Sequence, residues 1–331
     1  MLDPFFMETA LHAVSEACAV AREVQQALGT IKKLTKEDYS PVTVADFAAQ
    51  ALIALRLQES LGELRLTGEE SAADLVGTQG EILASALVTA VQKVRPGLNR
   101  ADIFSAVDLG NHDATGTAYW TLDPIDGTKG FLRGGQYAIS LAYLVDGEVV
   151  LGVLGCPNLG ADFTRAFTNP DPIGTVFFAE RGRGAFSRAA GSNAAASPVQ
   201  VARNRPLRDM RVCESVEAAH SRQDETQRIV EYLKTRGEPA RLDSQCKYAV
   251  VARGQADAYI RLPTQADYVE KIWDHAAGML VAVEAGATVT DIKGNPLDFS
   301  CGATLSRNRG IVCGPAPFHA AIVGAVEVLF G

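Results

Sequence analysis

Apolar residues recur at helical spacing in the first part of the chain. Between Glu8 and Leu28 they fall three or four positions apart, on one face of a predicted helix that ends at Gly29. A turn over Ser40–Asp46 is predicted to lead into a second helix, Phe47–Leu61, and a further helix is predicted around Ile82–Val94. The N-terminal segment is therefore predicted to be mainly helical.

Apolar, β-branched runs follow in the middle of the chain. Gln136–Val145 and Glu148–Gly155 are joined by Asp146-Gly147, a dipeptide that suits a type I′ turn between antiparallel strands. The stretch T-V-F-F-A-E-R-G-R-G-A-F-S, residues 175–187, predicts another hairpin. An antiparallel sheet is therefore expected.

The stretch Ser187–Pro198 is small, polar and aperiodic, and it predicts a domain boundary. We expect an N-terminal α+β domain, residues 1–198, and a C-terminal α/β domain, residues 199–331. The strands predicted in the second domain are Ala256–Leu262, Ala287–Asp291 and Gly310–Cys313, and its predicted helices are Asp224–Arg236, Asp274–Ala285 and Pro317–Leu329.

Composition narrows the class of protein. No apolar run approaches the roughly 20 residues of a membrane helix. The net charge of −8 and the lack of a basic block argue against binding to duplex nucleic acid. Six cysteines without C-x-x-C pairs argue against a disulfide framework and a zinc site, and favour a reducing compartment. We expect the protein to be located in the cytoplasm or, after removal of a transit peptide, in a plastid or mitochondrion.

The segment Y-W-T-L-D-P-I-D-G-T-K-G, residues 119–130, concentrates acidic groups at the end of an apolar run. Pro124 holds Asp123 out of the helical region, so the strand is predicted to end with that carboxylate in a loop. Asp126 follows, and the Ile125 carbonyl has no obvious ladder partner. These oxygen ligands suit Mg²⁺, and backbone N–H groups of Gly127–Thr128 would face phosphate oxygens. The alternative is a D-P-x-D-G surface turn.

Further acids stand at predicted element ends, where catalytic groups collect. Glu69 and Glu70 close a short strand, Asp46 stands at a helix start, and Asp274 opens another helix in W-D-H-A-A-G. Each has a structural alternative: the aspartates as helix caps, the glutamates as solvated side chains.

The motifs together resemble a known family. D-P-I-D-G-T, with upstream G-E-E and downstream W-D-x-A, resembles the metal-dependent, lithium-sensitive phosphatases that include inositol monophosphatase and fructose-1,6-bisphosphatase. Longer blocks between residues 40 and 299, such as D-S-Q-C-K-Y and E-K-I-W-D-H-A-A-G, resemble the 3′(2′),5′-bisphosphate nucleotidases of yeast and plants that confer salt tolerance. The resemblance implies a layered α/β/α/β/α sandwich of mixed α+β and α/β class.

The resemblance also implies a metal centre of two or three Mg²⁺ ions, inhibited by Li⁺. Its implied ligands are Glu69, Asp123, the Ile125 carbonyl, Asp126 and Asp274, with Asp123 bridging two ions. Thr128 and Asp46 are implied to orient and deprotonate the attacking water.

The implied substrate residues lie mainly in the second half of the chain. They are Gly127, Thr128, His220, Ser244, Lys247, Arg261 and Asp274. A cationic pair, Lys247 and Arg261, suits a non-reacting phosphate. His220 has the alternative of a helix-cap or surface residue, while Lys129 and Arg133 are either phosphate-steering groups or members of surface ion pairs.

The implied reaction is hydrolysis of 3′-phosphoadenosine 5′-phosphate (PAP) to AMP and phosphate in sulfur metabolism, with phosphoadenosine phosphosulfate (PAPS) as a further substrate. The alternatives are an inositol phosphate phosphatase and a non-hydrolytic nucleotide sensor. A monomer or homodimer without membrane contact is expected. Redox switching through Cys156, ascribed to some plant relatives, is in doubt because no cysteine stands near Gly110.

Overall fold

The computed structural model describes residues 3–28, 41–71, 80–216, 223–263, 265 and 267–331. Its helices are α1 (Pro4–Gln26), α2 (Pro41–Leu61), α3 (Gly80–Val94), α4 (Arg100–Asp108), α5 (Thr128–Leu132), α6 (Gln223–Tyr232), α7 (Cys246–Ala252), α8 (Ala276–Glu284) and α9 (Ala316–Phe330). Its strands are β1 (Leu66–Gly68), β2 (Ala118–Asp126), β3 (Ala138–Val145), β4 (Glu148–Cys156), β5 (Thr175–Glu180), β6 (Ala185–Ala189), β7 (Ser197–Val199), β8 (Val212–Glu214), β9 (Ala240–Arg241), β10 (Ala258–Arg261), β11 (Thr288–Thr290) and β12 (Ile311–Gly314).

Two sheets organise the described residues. The first has the order β1-β2-β3-β4-β5-β6-β7 and is antiparallel except for the parallel pair β1 and β2. The second has the order β11-β12-β10-β8-β9, with β10, β8 and β9 parallel. Helices α1 and α2 pack together on one face of the first sheet, α7 and α8 lie between the sheets, and α6 and α9 cover the second. The predicted α/β/α/β/α sandwich of mixed α+β and α/β class is confirmed.

Apolar faces hold these layers together because each buries a stripe that would otherwise face water. Phe47 and Leu52 of α2 share one buried core with Leu141 of the first sheet. Ile260 of β10 packs with Phe318 of α9 in the outermost core. The middle core, around α7 and α8, joins the two sheets.

Several local predictions are confirmed. The turn between β3 and β4 has positive φ angles at both Asp146 (51°) and Gly147 (77°), as a type I′ turn requires. The helix predicted between Glu8 and Leu28 is present as α1. It begins earlier than predicted, at Pro4, where the side chain of Asp3 accepts a hydrogen bond from the Phe5 N–H at 2.9 Å.

One local prediction was wrong, and one helix was missed. The predicted turn over residues 40–46 is helical from Pro41 onward, because proline is compatible with the first turn of a helix. Asp46 therefore lies inside α2 and is not its cap. Helix α4 was not predicted, although Asn99 and Asp102 form a reciprocal capping box at its start.

The predicted boundary at residue 198 falls within β7, which pairs with β6 and completes the first sheet. The division into two domains stays a prediction. Among the helices of the described ranges, none is both long and apolar enough to cross a bilayer.

Candidate active site

A β-bulge shapes the acidic motif on β2. Asp123 pairs with Ser140 of β3 and Asp126 pairs with Ala138, so one more residue is present on β2 than on β3. A proline is tolerated in a strand at such a bulge, where no ladder hydrogen bond is required of it. The strand therefore continues through Pro124 to Asp126, and the prediction that it ends at Asp123 was wrong.

The acids converge around Asp123. This side chain is 3% exposed, and its Oδ1 atom has no hydrogen-bond partner. Burial raises the pKa of Asp123 well above its usual range, and neighbouring carboxylates raise it further. The contributing groups are Glu69, Asp126, Asp274 and Asp46. Residues spread over more than two hundred positions thus form one negative cluster.

The other acids of the cluster show the same crowding. Burial, then the charges of Glu70 and Asp126, raises the pKa of Glu69 to about 7, although part of this residue is exposed to solvent. Burial raises the pKa of Asp274 to about 7, opposed by His275. Asp274 also is not a helix cap, because α8 begins at Ala276 after His275.

Gln245 joins the two halves of the site. Its backbone N–H donates to Asp126 Oδ2 at 2.5 Å, and its side-chain Nε2 donates to the Trp273 carbonyl at 2.9 Å. Its Oε1 accepts from the Gly278 N–H at 3.1 Å. Gln245 therefore connects the end of β2 to the segment that carries Asp274. The sequence analysis missed this role, because nothing local distinguishes a connecting glutamine.

Gln50 holds the G-E-E segment on α2. Its Nε2 donates to the Glu70 carbonyl at 2.7 Å and to the Val107 carbonyl at 3.0 Å, while its Oε1 accepts from the Glu70 N–H at 3.2 Å. The side chain is fully buried, one helical turn after Asp46. A Cβ on Gly68 would approach Gln50 Oε1 to 2.3 Å, so a larger residue there would displace the Gln50 side chain from these hydrogen bonds. This residue also was not found from the sequence.

Glu270, Asp274 and His275 offer three potential ligand atoms within 4.8 Å of one another. Two of these residues are already engaged. Glu270 accepts from Arg261 Nε at 2.9 Å and lies 3.2 Å from His275 Nε2, while His275 Nδ1 lies 3.0 Å from the Tyr248 hydroxyl. Asp274 is the member of this group that is shared with the acidic cluster.

A cavity of about 320 Å³ opens beside the acids. Six predicted substrate residues line it: Gly127, Thr128, Ser244, Lys247, Arg261 and Asp274. Gly127 has a φ of 92°, and a Cβ there would lie 2.8 Å from Ser244 Cβ, so only glycine allows this close approach. His220 lies outside the described residues.

Besides Lys129 on the acidic motif, two cations from the second half of the chain face this cavity. Lys247 is buried, with Nζ 3.5 Å from Ser215 Oγ and 5.2 Å from the centre of the Tyr259 ring. Burial lowers the pKa of Lys247, opposed by the charges of Asp126 and Asp243. Arg261 is partly exposed, and its ion pair with Glu270 fixes its orientation.

Lys129 and Arg133, the two cations that follow the acidic motif, have different surroundings. Lys129 lines the cavity and forms no ion pair within the described part of the chain. Arg133 instead forms an ion pair with Asp243. Thr128 is exposed at the start of α5, which packs against the helix that carries Asp46. The pairing of these two residues in catalysis stays a prediction.

The donor set fits a hard divalent cation. Carboxylate oxygens are the ligands that Mg²⁺ prefers. Asp123 Oδ1 is buried without a partner, a state that a cation would relieve. The bulge also leaves Ile125 unpaired with β3, next to these carboxylates.

Comparison with known proteins agrees with this geometry. The model of the inositol monophosphatase family matches residues 5–328. The chain belongs to the inositol monophosphatase family. Members of this family act on small-molecule phosphates and depend on a metal ion, generally Mg²⁺.

Similar family members include proteins named 3′(2′),5′-bisphosphate nucleotidase. The protein of Schizosaccharomyces pombe is 42% identical over 84% of this chain and 81% of its own length. That of Emericella nidulans is 38% identical over 95% of each chain. The 3′,5′-bisphosphate nucleotidase 2 of Arabidopsis thaliana is 37% identical over 92% of this chain and 91% of its own length.

Solved structures of the family share the fold. The extragenic suppressor protein suhB of Bartonella henselae superposes with a TM-score of 0.63 at 22% identity, covering 97% of this chain and 99% of that one. The inositol monophosphatase of Anabaena superposes with a TM-score of 0.62 at 20% identity, covering 98% and 95%.

The thiols are mostly inaccessible. Cys156 lies against Cys246, and burial followed by that contact raises the pKa of the Cys156 thiol well above its usual range. Cys301 alone among the six cysteines is not buried. A raised thiol pKa disfavours the reactive thiolate, so Cys156 is poorly suited to redox chemistry.

Proposed function

We propose that this protein is a Mg²⁺-dependent 3′(2′),5′-bisphosphate nucleotidase that hydrolyses PAP to AMP and phosphate, with PAPS as a further substrate. The observation that carries the proposal is the cavity with two cations, Lys247 and Arg261, directly beside the acidic cluster. A substrate with two phosphates needs one group at the acids and the other at positive charge. The similar nucleotidases support the same conclusion.

The acids would hold the metal. One ion would be held by Glu69, Asp123 and the Ile125 carbonyl. A second would be held by Asp123, Asp126 and Asp274. A third ion at the same site stays a prediction. When bound, such ions lower the pKa of a coordinated water and neutralise charge on the leaving oxygen.

The remaining residues would bind and orient the substrate. Asp46 and Thr128 would orient the attacking water and accept its proton, and Gly127 would let the backbone approach the reacting phosphate. Lys247 and Arg261 would bind the non-reacting 5′-phosphate, since neither cation lies on the β2 motif. Ser244 would hydrogen-bond the substrate, with His220 near the adenosine.

The test is release of phosphate from PAP, PAPS, AMP and inositol 1-phosphate at equal concentration. We expect PAP to have the highest kcat/KM and AMP to release no phosphate. Activity is expected to require Mg²⁺ and to fall with Li⁺ in the millimolar range. A preference for inositol 1-phosphate would reject the nucleotidase in favour of the alternative phosphatase.

Asp123→Asn tests the acidic centre. We expect turnover to fall by at least about 10³-fold, because the carboxylate that all the other acids surround is neutralised. The matched control is Asp162→Asn, a solvent-exposed aspartate outside the cavity, which should leave kcat unchanged. A nucleotide sensor would bind PAP without turnover in the wild-type protein, and that result would overturn the enzymatic proposal.

A further inference from the structure

A second cavity, of about 340 Å³, lies at the β5–β7 side of the first sheet. Strand residues of β5, β6 and β7 form part of its wall. The loop between β6 and β7, the segment around Phe163 and the side chain of Arg253 form the rest. None of its lining residues lines the substrate cavity. It is therefore separate from the candidate active site.

Arg253 brings a buried positive charge to this cavity. The residue is 6% exposed. Its Nη1 donates to the Gly160 carbonyl at 2.7 Å, and its Nε donates to Gln255 Oε1 at 2.8 Å, with Nη2 on the same oxygen. These acceptors are all neutral, and three bonds leave two of the five guanidinium N–H groups available. The charge of Arg253 is therefore hydrogen-bonded but not neutralised.

Arg188 brings a second guanidinium. Its Nε atom is buried without a hydrogen-bond partner, and the part of the chain that the structure describes provides it with no ion pair. Other arginines near this hairpin do find carboxylates: Arg181 lies 2.8 Å from Glu148, and Arg183 lies 3.2 Å from Glu180. The contrast is specific to the arginine that faces the cavity.

The walls of the cavity strengthen the effect of these charges. Its lining contains no aspartate or glutamate. The rings of Phe163 and Phe177 lie 4.5 and 6.0 Å from the Arg253 guanidinium carbon. Positive charge that is shielded from water without a counter-charge is unfavourable, and a bound anion relieves it. A planar guanidinium matches two oxygens of a tetrahedral oxyanion.

We propose that the cavity formed by Arg188, Arg253 and Phe163 is an oxyanion site that binds sulfate or phosphate, either free or as the terminal group of a small molecule. Arg188 would donate hydrogen bonds to the anion from its unpaired guanidinium N–H groups. The buried guanidinium of Arg253 would supply positive charge from the inner wall of the cavity. The protein as a whole carries a net charge of −8, so this local positive charge does not reflect its overall composition.

Crystals of the full chain soaked in selenate locate the anion directly, because selenium scatters anomalously. We expect a selenium peak in the cavity of the wild type. The same peak is expected in Arg183→Met, the control variant, which removes an arginine that is already paired with Glu180. The peak should be absent from Arg188→Met and weakened in Arg188→Lys. A wild-type crystal that shows selenium in the substrate cavity but not between Arg188 and Arg253 would overturn the proposal.

Solution binding and a second soak complete the test. Sulfate binding is titrated at constant ionic strength, with chloride as the balancing anion, in two proteins: Lys247→Met and the double variant Lys247→Met/Arg188→Met. The Lys247→Met change weakens anion binding at the substrate cavity. The double variant should bind sulfate with a Kd at least tenfold weaker. An equal Kd in both proteins would refute the site. A soak with adenosine 5′-phosphate distinguishes the sources: an ordered base against Phe163 indicates a nucleotide ligand, whereas selenate alone in the cavity indicates a free anion.

Discussion

Replacing Asp274 with asparagine tests the electrostatics of the acidic cluster. In the metal-free protein this carboxyl has a pKa of about 7, against 3.8 for an ordinary aspartate, mainly because of burial. A raised pKa in the folded state means that the folded protein binds the proton more tightly than the unfolded chain does. Stability from this group is therefore greatest below about pH 4 and is lost as the pH rises to about 7.

The magnitude follows from the difference between the two pKa values. About 3 units at about 1.4 kcal/mol per unit gives about 4 kcal/mol of lost stability between pH 4 and pH 8. Asparagine cannot ionise, so Asp274→Asn should lose this part of the pH dependence. At pH 8 the metal-free variant should be the more stable protein.

Urea unfolding in a chelator, followed from pH 4 to pH 8, measures this difference. The wild type should show the steeper decline in free energy of unfolding, and saturating Mg²⁺ should stabilise it more than the variant. The comparison is between the slopes of the free energy of unfolding against pH. A packing defect in the variant that is the same at every pH therefore does not affect the result. Parallel pH profiles for the two proteins would show that Asp274 lies outside a crowded acidic cluster, and the reasoning would fail.

Three further predictions concern positioning, substrate binding and thiol access. Gln50→Leu removes three side-chain hydrogen bonds to the backbone of Glu70 and Val107, so we expect the free energy of unfolding to fall by about 3 kcal/mol and the Mg²⁺ requirement to rise. The exposed Gln58→Leu is the control. Lys129→Met should raise KM for PAP by about tenfold in steady-state assays, because one contact with a phosphate is lost. Arg133→Met should raise KM less, because the charge of Arg133 is already paired with Asp243. Titration of the native protein with a thiol reagent should show one fast thiol that disappears in Cys301→Ser, and several fast thiols would contradict the observed burial.

Local patterns in the sequence predicted much of the fold. The apolar spacing of α1 and the Asp146-Gly147 turn are short-range features, and both are confirmed. The start of α2 was misplaced, because the serine-proline pair before it also suits a turn. The bulge at Pro124 was missed, because a bulge is defined by the register of β3 and not by β2 alone.

The sequence by itself determined which chemistry is present: oxygen-rich acids, a glycine after them, and cations in the second half of the chain. Only the tertiary structure decided that Asp123 is the buried centre of those acids and that Lys129, not Arg133, faces the cavity. It alone revealed Gln50 and Gln245 as the residues that hold the segments together. The reason is physical: periodicity and turn chemistry act over a few residues, whereas burial, charge crowding and hydrogen bonds depend on which distant segments the packed layers bring into contact.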